Sequence, residues 1–427
     1  MAADSAFTDA ESGESLRRNS DFSRLWAAQV VSAFGSRITR EGLPYAAVLT
    51  MSASANQMGY LAAVGAAPVL VFGLFAGVWA DRLRRRPILI ASDLARALVL
   101  GFVPVAALLH ILSIWHLYVV AAAMGILTLF FDVADRAYLP TLVRRDQIME
   151  ANSKLSATGS LAEVGGPALA GLLVQALTAP IAMGFDALSF LWSATWLSLI
   201  KRPEPRHIPE AEHEAHNVWS EIGEGLGVIW QDGVLRALAL SATARAFFGW
   251  FFAALYAFYA IQELGLTTGV VGLLVSAGGV GALAGAGLAG RLARRFGIGP
   301  LLIMAAVISG FFELLVPLAY GPFFLVVAFM LAAQLFGDIG WEIYAINEIT
   351  LRQMIVSSRL MGRANATMQF LEGGAGPIGA LVAGALAGAS SARVALLVAS
   401  LGMLASCLLL IFSPLRHFRQ VQEDEQQ

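Results

Sequence analysis

Arg37, Arg40 and Glu41 fall within five positions of one another inside a stretch long enough to cross a bilayer. An ionisable side chain at mid-bilayer costs roughly 2.5–3.5 kcal/mol, so three facing lipid would cost roughly 7–10 kcal/mol. At about 100° per residue of helix they share one arc of about 100°, and one face can turn all three inward. Arg37 and Glu41 are four apart and can neutralise each other along the helix. Two readings follow: a structural ion pair, or the lining of a cavity that contacts solute or proton. Asp338 and Glu342 pose the same question later in the chain, four apart on one helical face with no basic residue at that spacing. Two such carboxylates repel when both are ionised, which is a setting for binding and releasing a proton. The alternative is that Arg245 pairs with one of them.

Further ionisable groups lie in apolar surroundings: Asp132, Asp135 and Arg136, then Glu163, Asp186, Glu313 and Glu372. Asp132 and Arg136 are spaced to pair, and Asp132 is the deeper cavity candidate. Glu313 reads as a hydrogen-bonded packing residue, and Asp186 as a structural residue near the outer end of its span. No histidine is at membrane depth, so a proton relay would use carboxylates. The sequence has no G-x-S-x-G, no Walker loop and no H-E-x-x-H, which argues against an enzyme and against a nucleotide site. The single cysteine, Cys407, excludes a disulfide framework or a multi-cysteine metal site. No cofactor, metal or nucleic-acid partner is expected.

The elements that must hold these charges are membrane helices. Of 427 residues 58% are hydrophobic and only 14% charged, with mean hydropathy +0.70. A soluble domain is nearer 45–50% apolar and about 25% charged. Runs of about 20 apolar residues occur near 24–50, 58–80, 88–110, 116–139, 153–177 and 181–200. A second set lies near 237–262, 269–290, 299–320, 323–348, 363–388 and 392–413. The spacing predicts a tail over 1–21, a six-helix bundle over 22–200, a linker with an amphipathic helix over 201–232, a second bundle over 233–413 and a tail over 414–427. Lys and Arg gather in alternate loops and in both tails, with Arg393 bordering an otherwise bare loop. By the positive-inside rule both termini and the linker are expected to be cytoplasmic.

The halves echo each other. GVWADRLRRR (77–86) has a counterpart in AGLAGRLARR (286–295), and Ala151-Asn152 in Ala364-Asn365. Gly166-Pro167 is matched with Gly376-Pro377. Small residues in these spans let helix backbones approach and slide, and Gly-Pro pairs permit bending.

The chain resembles the major facilitator superfamily over nearly its whole length. Gly77-x-x-x-Asp81-Arg82-x-x-Arg85-Arg86 is similar to that family's loop signature, with Arg84 where the second glycine usually stands. Gly166-Pro167 resembles the antiporter motif, with Ala162 in place of its first glycine. EANSKLSATGSLAEVGGPALAG (150–171), FDALSFLWSA (185–194) and EGLGVIWQDGVLRAL (224–238) are similar to the macrolide-efflux and enterobactin-exporter branch. The resemblance implies an all-α fold of twelve membrane helices in two pseudo-symmetric six-helix bundles, with a monomer that works by alternating access. It also implies a first span lining the central path and a loop, at Asp81, Arg82, Arg85 and Arg86, that clasps neighbouring helix ends. The expected function is proton-coupled efflux of amphiphilic or hydrophobic small molecules across the bacterial inner membrane. The alternative keeps the fold and changes the cargo: a lysophospholipid flippase or a solute importer.

Overall fold

A bilayer offers no hydrogen-bond partners to the backbone, so a spanning chain must satisfy its own amides as helix. The computed structural model describes residues 16–82, 84–202 and 218–418. Within these stretches the side chains of 17, 73–82, 218–222, 224 and 417 are outside the description. The N-terminal half comprises α1 (Ser20–Tyr45), α2 (Ala55–Arg82), α3 (Arg85–Leu108), α4 (Ile114–Leu142), α5 (Ile148–Ala176) and α6 (Ala179–Ser198). A surface helix, α7 (Val218–Gln231), follows, and its Gly225 packs on α13 (Ser358–Ala389) beside Thr367. The C-terminal half comprises α8 (Gly233–Phe258), α9 (Thr268–Phe296), α10 (Ile298–Glu313) with its short continuation α11 (Leu315–Leu318), α12 (Phe323–Ile355), α13 and α14 (Ala392–Ile411).

Ten helices are long and apolar enough to span a membrane by length and composition. The other two of the twelve are α1 and α6. Their polar content explains the shortfall: α1 carries Arg37, Arg40 and Glu41, and α6 carries Asp186 among serines and threonine. Both are nevertheless integral to the bundle, with α1 against α5 and α6, and α6 against α3.

The two halves repeat the same packing. The pairings α1·α6, α1·α5, α2·α4, α3·α4 and α3·α6 recur as α8·α14, α8·α13, α9·α12, α10·α12 and α10·α14. Local devices recur too. Asn19 caps α1 by accepting from Asp21 N and Phe22 N, and Asp232 caps α8 by accepting from Val234 N and Leu235 N. Both helices end in a π-helical turn, over Ala46–Thr50 and Tyr259–Glu263. Each pair is separated by 213 positions (232 less 19, 259 less 46). Ala151-Asn152 and Ala364-Asn365 obey the same offset, whereas Gly166-Pro167 and Gly376-Pro377 miss it by three residues. That equivalence is corrected: the counterpart of Gly166 is Gly379, and the counterpart of Gly376 is Glu163.

The halves meet at the arginine-poor end. A Cβ added at Gly59 of α2 would stand 2.8 Å from Gly384 Cα of α13, and one at Gly384 would stand 2.9 Å from Gly59 Cα. In the mirrored seam, Cβ atoms added at Gly171 of α5 and Gly272 of α9 would each stand 3.1 Å from the other's Cα. Only glycine permits such backbone approach. From α9 to α5, Thr268 Oγ1 donates to Gly171 O at 3.0 Å and Gly269 N to Gln175 Oε1 at 3.0 Å; from α5, Ala168 N donates to Ser276 Oγ at 2.9 Å. One apolar core runs through both halves here, from Tyr45 and Val174 to Phe251 and Ala383. Toward the arginine-rich end the core splits, with one cluster around Phe22 and Tyr138 and another around Leu302 and Tyr344. On the same helices, Gly159 of α5, Gly287 of α9 and Gly362 of α13 face open space. The two halves therefore form a V that opens toward the arginine-rich end.

Candidate functional site

Inside the V lies a cavity of about 1090 Å³, walled by both halves. Drug-sized pockets run about 300–1,000 Å³, so the volume suits a small organic molecule. The N-terminal wall is mostly apolar, with Leu43, Met58, Leu61 and Met124, and adds Thr39 and Arg40. The C-terminal wall mixes aromatic and charged groups: Trp250, Phe252, Trp341 and Phe370 beside Arg245, Glu313, Asp338 and Glu372. Thus four of the nine expected path residues line the cavity: Arg40, Arg245, Asp338 and Glu372. Glu342, Glu41 and Asp132 are not among its lining residues.

Arg37 does not pair with Glu41, as the four-residue spacing allows. Its stem crosses Gly166, where an added Cβ would lie 2.6 Å from Arg37 Cγ, and its guanidinium reaches Glu163 of α5. Arg37 Nη1 donates to Glu163 Oε1 at 2.7 Å, and Arg40 Nη1 stands 4.0 Å from the same oxygen. The guanidinium is thus taken by a carboxylate across the α1–α5 interface and not by the one a turn along its own helix. Glu41 has no ion pair among the described residues. At the equivalent place in the C-terminal half, Trp250 packs on Gly376, with an added Cβ 2.8 Å from Trp250 Cε2. The charge pair thus replaces an apolar contact of the other half.

Asp338 breaks the symmetry in the opposite sense. Its carboxylate packs onto Gly278 of α9, beside Gln334. In the N-terminal half the equivalent contact joins two glycines, Gly125 and Gly65, with an added Cβ 2.6 Å from Gly65 O. The next residue, Gly279, faces α5, where an added Cβ would stand 3.2 Å from Glu163 O. Two adjacent glycines, about 100° apart around the helix, therefore bring the Glu163 backbone of one half and the Asp338 carboxylate of the other onto neighbouring faces of α9. Glu342 lies one turn beyond, its Cβ against Gly285.

Arg245 is 1% exposed and forms no salt bridge with Asp338 or Glu342. Its Nη1 donates to Ala306 O at 3.3 Å and Nη2 to Ser309 Oγ at 3.1 Å, with Tyr344 and Trp341 rings 4.8 and 5.3 Å from the guanidinium. Hydrogen bonds and ring quadrupoles take the place of a counter-ion. Glu313 is a correction of another kind. The helix axis breaks at Leu314, between α10 and α11, and the carboxylate ends on the cavity wall. Among the described residues Glu313, Asp338 and Glu372 have no ion-pair partner, so the C-terminal wall presents three unpaired carboxylates.

Asp132 and Arg136 do not pair either; instead Gln29 Nε2 donates to Asp135 Oδ1 at 2.5 Å. Of the loop signature, Gly77, Asp81 and Arg82 have side chains outside the description, so the expected cap on α13 lies there too. Arg86 is described: Nε donates to Leu197 O at 3.1 Å and Nη2 to Ser198 O at 2.5 Å, closing the C-terminus of α6. Arg85 starts α3.

The family model of transmembrane secretion effectors matches residues 14–427. The chain belongs to that family of major facilitator transporters. It is 31% identical to the multidrug efflux pump Tap of Mycolicibacterium fortuitum over 91% of this chain and 94% of that one. It is 26% identical to macrolide efflux protein A of Streptococcus pyogenes, over 53% of this chain and 55% of that one. Among solved structures it superposes on a bacterial homologue of the iron transporter ferroportin in an inward-facing state, with TM-score 0.71 at 18% identity over 93% of this chain and 99% of that one. The nucleoside transporter NupG gives TM-score 0.71 at 11% identity over 92% and 98%. Such identities carry the fold alone. The protein is therefore a multi-pass bacterial membrane transporter that acts on small molecules, and not an enzyme.

The Arg37–Glu163 pair ties α1 to α5 within the N-terminal half. Glu163→Ala should lower the thermal midpoint modestly, since Arg37 is 22% and Glu163 47% exposed at the side chain. The cost should fall nearer the roughly 0–1 kcal/mol of an exposed pair than the roughly 3–5 kcal/mol of a broken buried one. The exchange Arg37→Glu with Glu163→Arg should recover most of it in a fluorescence melting curve. Equal losses in the single and exchanged variants would remove the pair from the account.

Buried charged groups that escaped the sequence reading include Glu348 of α12, 6% exposed and 3.5 Å from Arg352, and a pair on α3. Asp93 and Arg96 of α3 are 0% and 3% exposed and joined at 2.5 Å. The available signal was an acid and a base three residues apart in an otherwise apolar span.

Proposed function

We propose that the protein is an efflux transporter that exports amphiphilic or hydrophobic small molecules, with a cationic or neutral character, in exchange for protons. The cavity wall carries this reading: an apolar surface large enough for a drug-sized body faces three unpaired carboxylates at Glu313, Asp338 and Glu372. A carboxylate among aromatic rings can hold either a proton or a cationic head, and a site that holds one at a time exchanges them. The efflux activity in the names of Tap and macrolide efflux protein A supports the direction. The arginine-rich end, with both termini and the linker between the halves, is cytoplasmic by the positive-inside rule. In that orientation the V opens to the cytoplasm and the glycine seams close the outer side. Residues 22–200 and 233–413 act as the two rocking bodies of a monomer.

The test is expression in an efflux-deficient host challenged with a panel of macrolides, tetracyclines, ethidium and lysophospholipids. Tolerance should rise several-fold for amphiphilic members, and a protonophore should abolish the gain. Unchanged tolerance at verified expression, or a gain that survives the protonophore, would overturn the reading.

A further inference from the structure

The interior of the N-terminal half holds a carboxyl group that the cavity mechanism does not use. Asp186 of α6 is 0% exposed. It lies two turns into the helix, at the depth of the cavity and not near the outer end. Its Oδ2 accepts from Thr39 Oγ1 of α1, and its Oδ1 accepts from Ser189 Oγ at 2.8 Å. Room for it comes from Gly35, where an added Cβ would lie 2.7 Å from Ser189 Cβ and closer still to the Asp186 carboxylate.

The charges around it are already committed. From α3, Arg96 and Asp93 are the ionisable groups facing Asp186. Arg96 is bound to Asp93 at 2.5 Å and held between the rings of Phe131 of α4, at 4.0 Å, and Phe190 of α6, at 4.4 Å. From α1 the facing group is the neutral Thr39, and α6 itself contributes the neutral Ser189. Asp186 has no ion pair of its own among the described residues. An ionised carboxylate buried without a cation is costly, and a proton is the smallest group that neutralises it.

Pseudo-symmetry shows that the fold does not need this arrangement. At the equivalent positions the C-terminal half has Ala399 for Asp186, Phe252 for Thr39, Gly402 for Ser189 and Phe248 for Gly35. There the Phe248 ring fills the space over Gly402. The same backbone is thus packed with hydrocarbon in one half and with an acid in the other. The acid also has an outlet, since Thr39 lines the central cavity. Thr39 is thus both a lining residue of that space and the hydrogen-bond donor to Asp186.

We propose that Asp186 is a proton-binding site of the N-terminal half, loaded from the central cavity through the Thr39 hydroxyl. A hydronium ion in the cavity gives a proton to Thr39 Oγ1 and is left as water, as the hydroxyl proton of Thr39 passes to Asp186 Oδ2; unloading reverses both transfers. Only O–H bonds form and break, and no other reactant is consumed. The proposal adds a second proton to the coupled reading above, on the opposite side of the cavity from Asp338.

The test needs no cargo. Purified protein in lipid is titrated while infrared difference spectra record the carbonyl stretch of protonated carboxyl groups. A band should be lost in Asp186→Asn and retained in Asp338→Asn. Thr39→Val, which keeps the side chain's shape and removes the hydroxyl, should shift the same band, and it decides the matter if Asp186→Asn fails to accumulate. A merely structural carboxylate gives no such band. Spectra of Asp186→Asn, or failing that Thr39→Val, identical to those of the parent would overturn the proposal. A band that behaves as expected in a protein whose transport ignores the proton gradient would support Asp186 and count against the coupled reading alone.

Discussion

Gly272→Leu should reduce transport about tenfold to a hundredfold without preventing insertion. The argument rests on the seam between α5 and α9, where an added Cβ at position 272 already stands 3.1 Å from Gly171 Cα. Backbone cannot rotate out of the way as a side chain can, so a leucine there forces the two helices apart. Overpacking of this kind typically costs about 1–3 kcal/mol. Here the strain falls on one state of the cycle, the one in which the arginine-poor side is closed. A bias of about 1–3 kcal/mol between two states is a shift of roughly 5–150-fold in their ratio. Alternating access requires both states, so turnover should fall with the depleted one. Gly59→Leu and Gly384→Leu press on the mirrored seam and should behave alike. Gly227→Leu, on α7 where nothing lies within 4 Å of an added Cβ, is the control. Ethidium efflux from cells, normalised to membrane-inserted protein, reads the effect. Parental activity in both Gly272→Leu and Gly384→Leu would mean that the seams do not gate.

This seam shows what the sequence could and could not disclose. Helix number, the two halves and the crowding of glycine in α2, α5, α9 and α13 follow from hydropathy and spacing, because lipid imposes the same rule on every span. Register between the halves was harder. Motif content matches Gly166-Pro167 with Gly376-Pro377, yet the 213-residue offset shared by the caps, the π-turns and the seam glycines makes Gly379 the counterpart of Gly166. Charges were legible as charges, not as pairs. Spacing along one helix offered Glu41 to Arg37 and Arg136 to Asp132. The partner of Arg37 came from another helix, 126 residues away. Glu313 was misread because the helix is interrupted at Leu314, where Pro317 cannot donate to the Glu313 carbonyl, a mark the hydropathy reading passed over. Asp186 was discounted for its place in a family-like stretch, although a buried acid facing Gly35 is unlike its counterpart Ala399.

Asp338→Asn should abolish proton-driven transport while leaving expression intact. Asparagine keeps the size of the side chain that rests on Gly278, so the α9–α12 contact survives, but it cannot take up and release a proton. In vesicles loaded for efflux, the parental protein should run faster as the receiving compartment is made more acidic than the loaded one. The variant should run at one rate whatever the gradient. Exchange of labelled for unlabelled ethidium, which needs no net proton movement, should persist. Glu342→Gln provides the contrast. The sequence places the two acids on one helical face as a pair, yet the structure divides them: Asp338 lines the cavity, and Glu342 sits one turn away against Gly285, outside the cavity lining. Coupling should therefore survive Glu342→Gln. Loss in both variants would restore the paired-carboxylate account, and gradient-driven transport by Asp338→Asn would pass the proton to Glu313, Glu372 or Asp186. The choice of Asp338 over these rests on its position, since Gly278 and Gly279 place it on the face of α9 next to the one that meets Glu163. A proton arriving there changes the charge facing the Arg37–Glu163 pair, at the contact between the two moving halves.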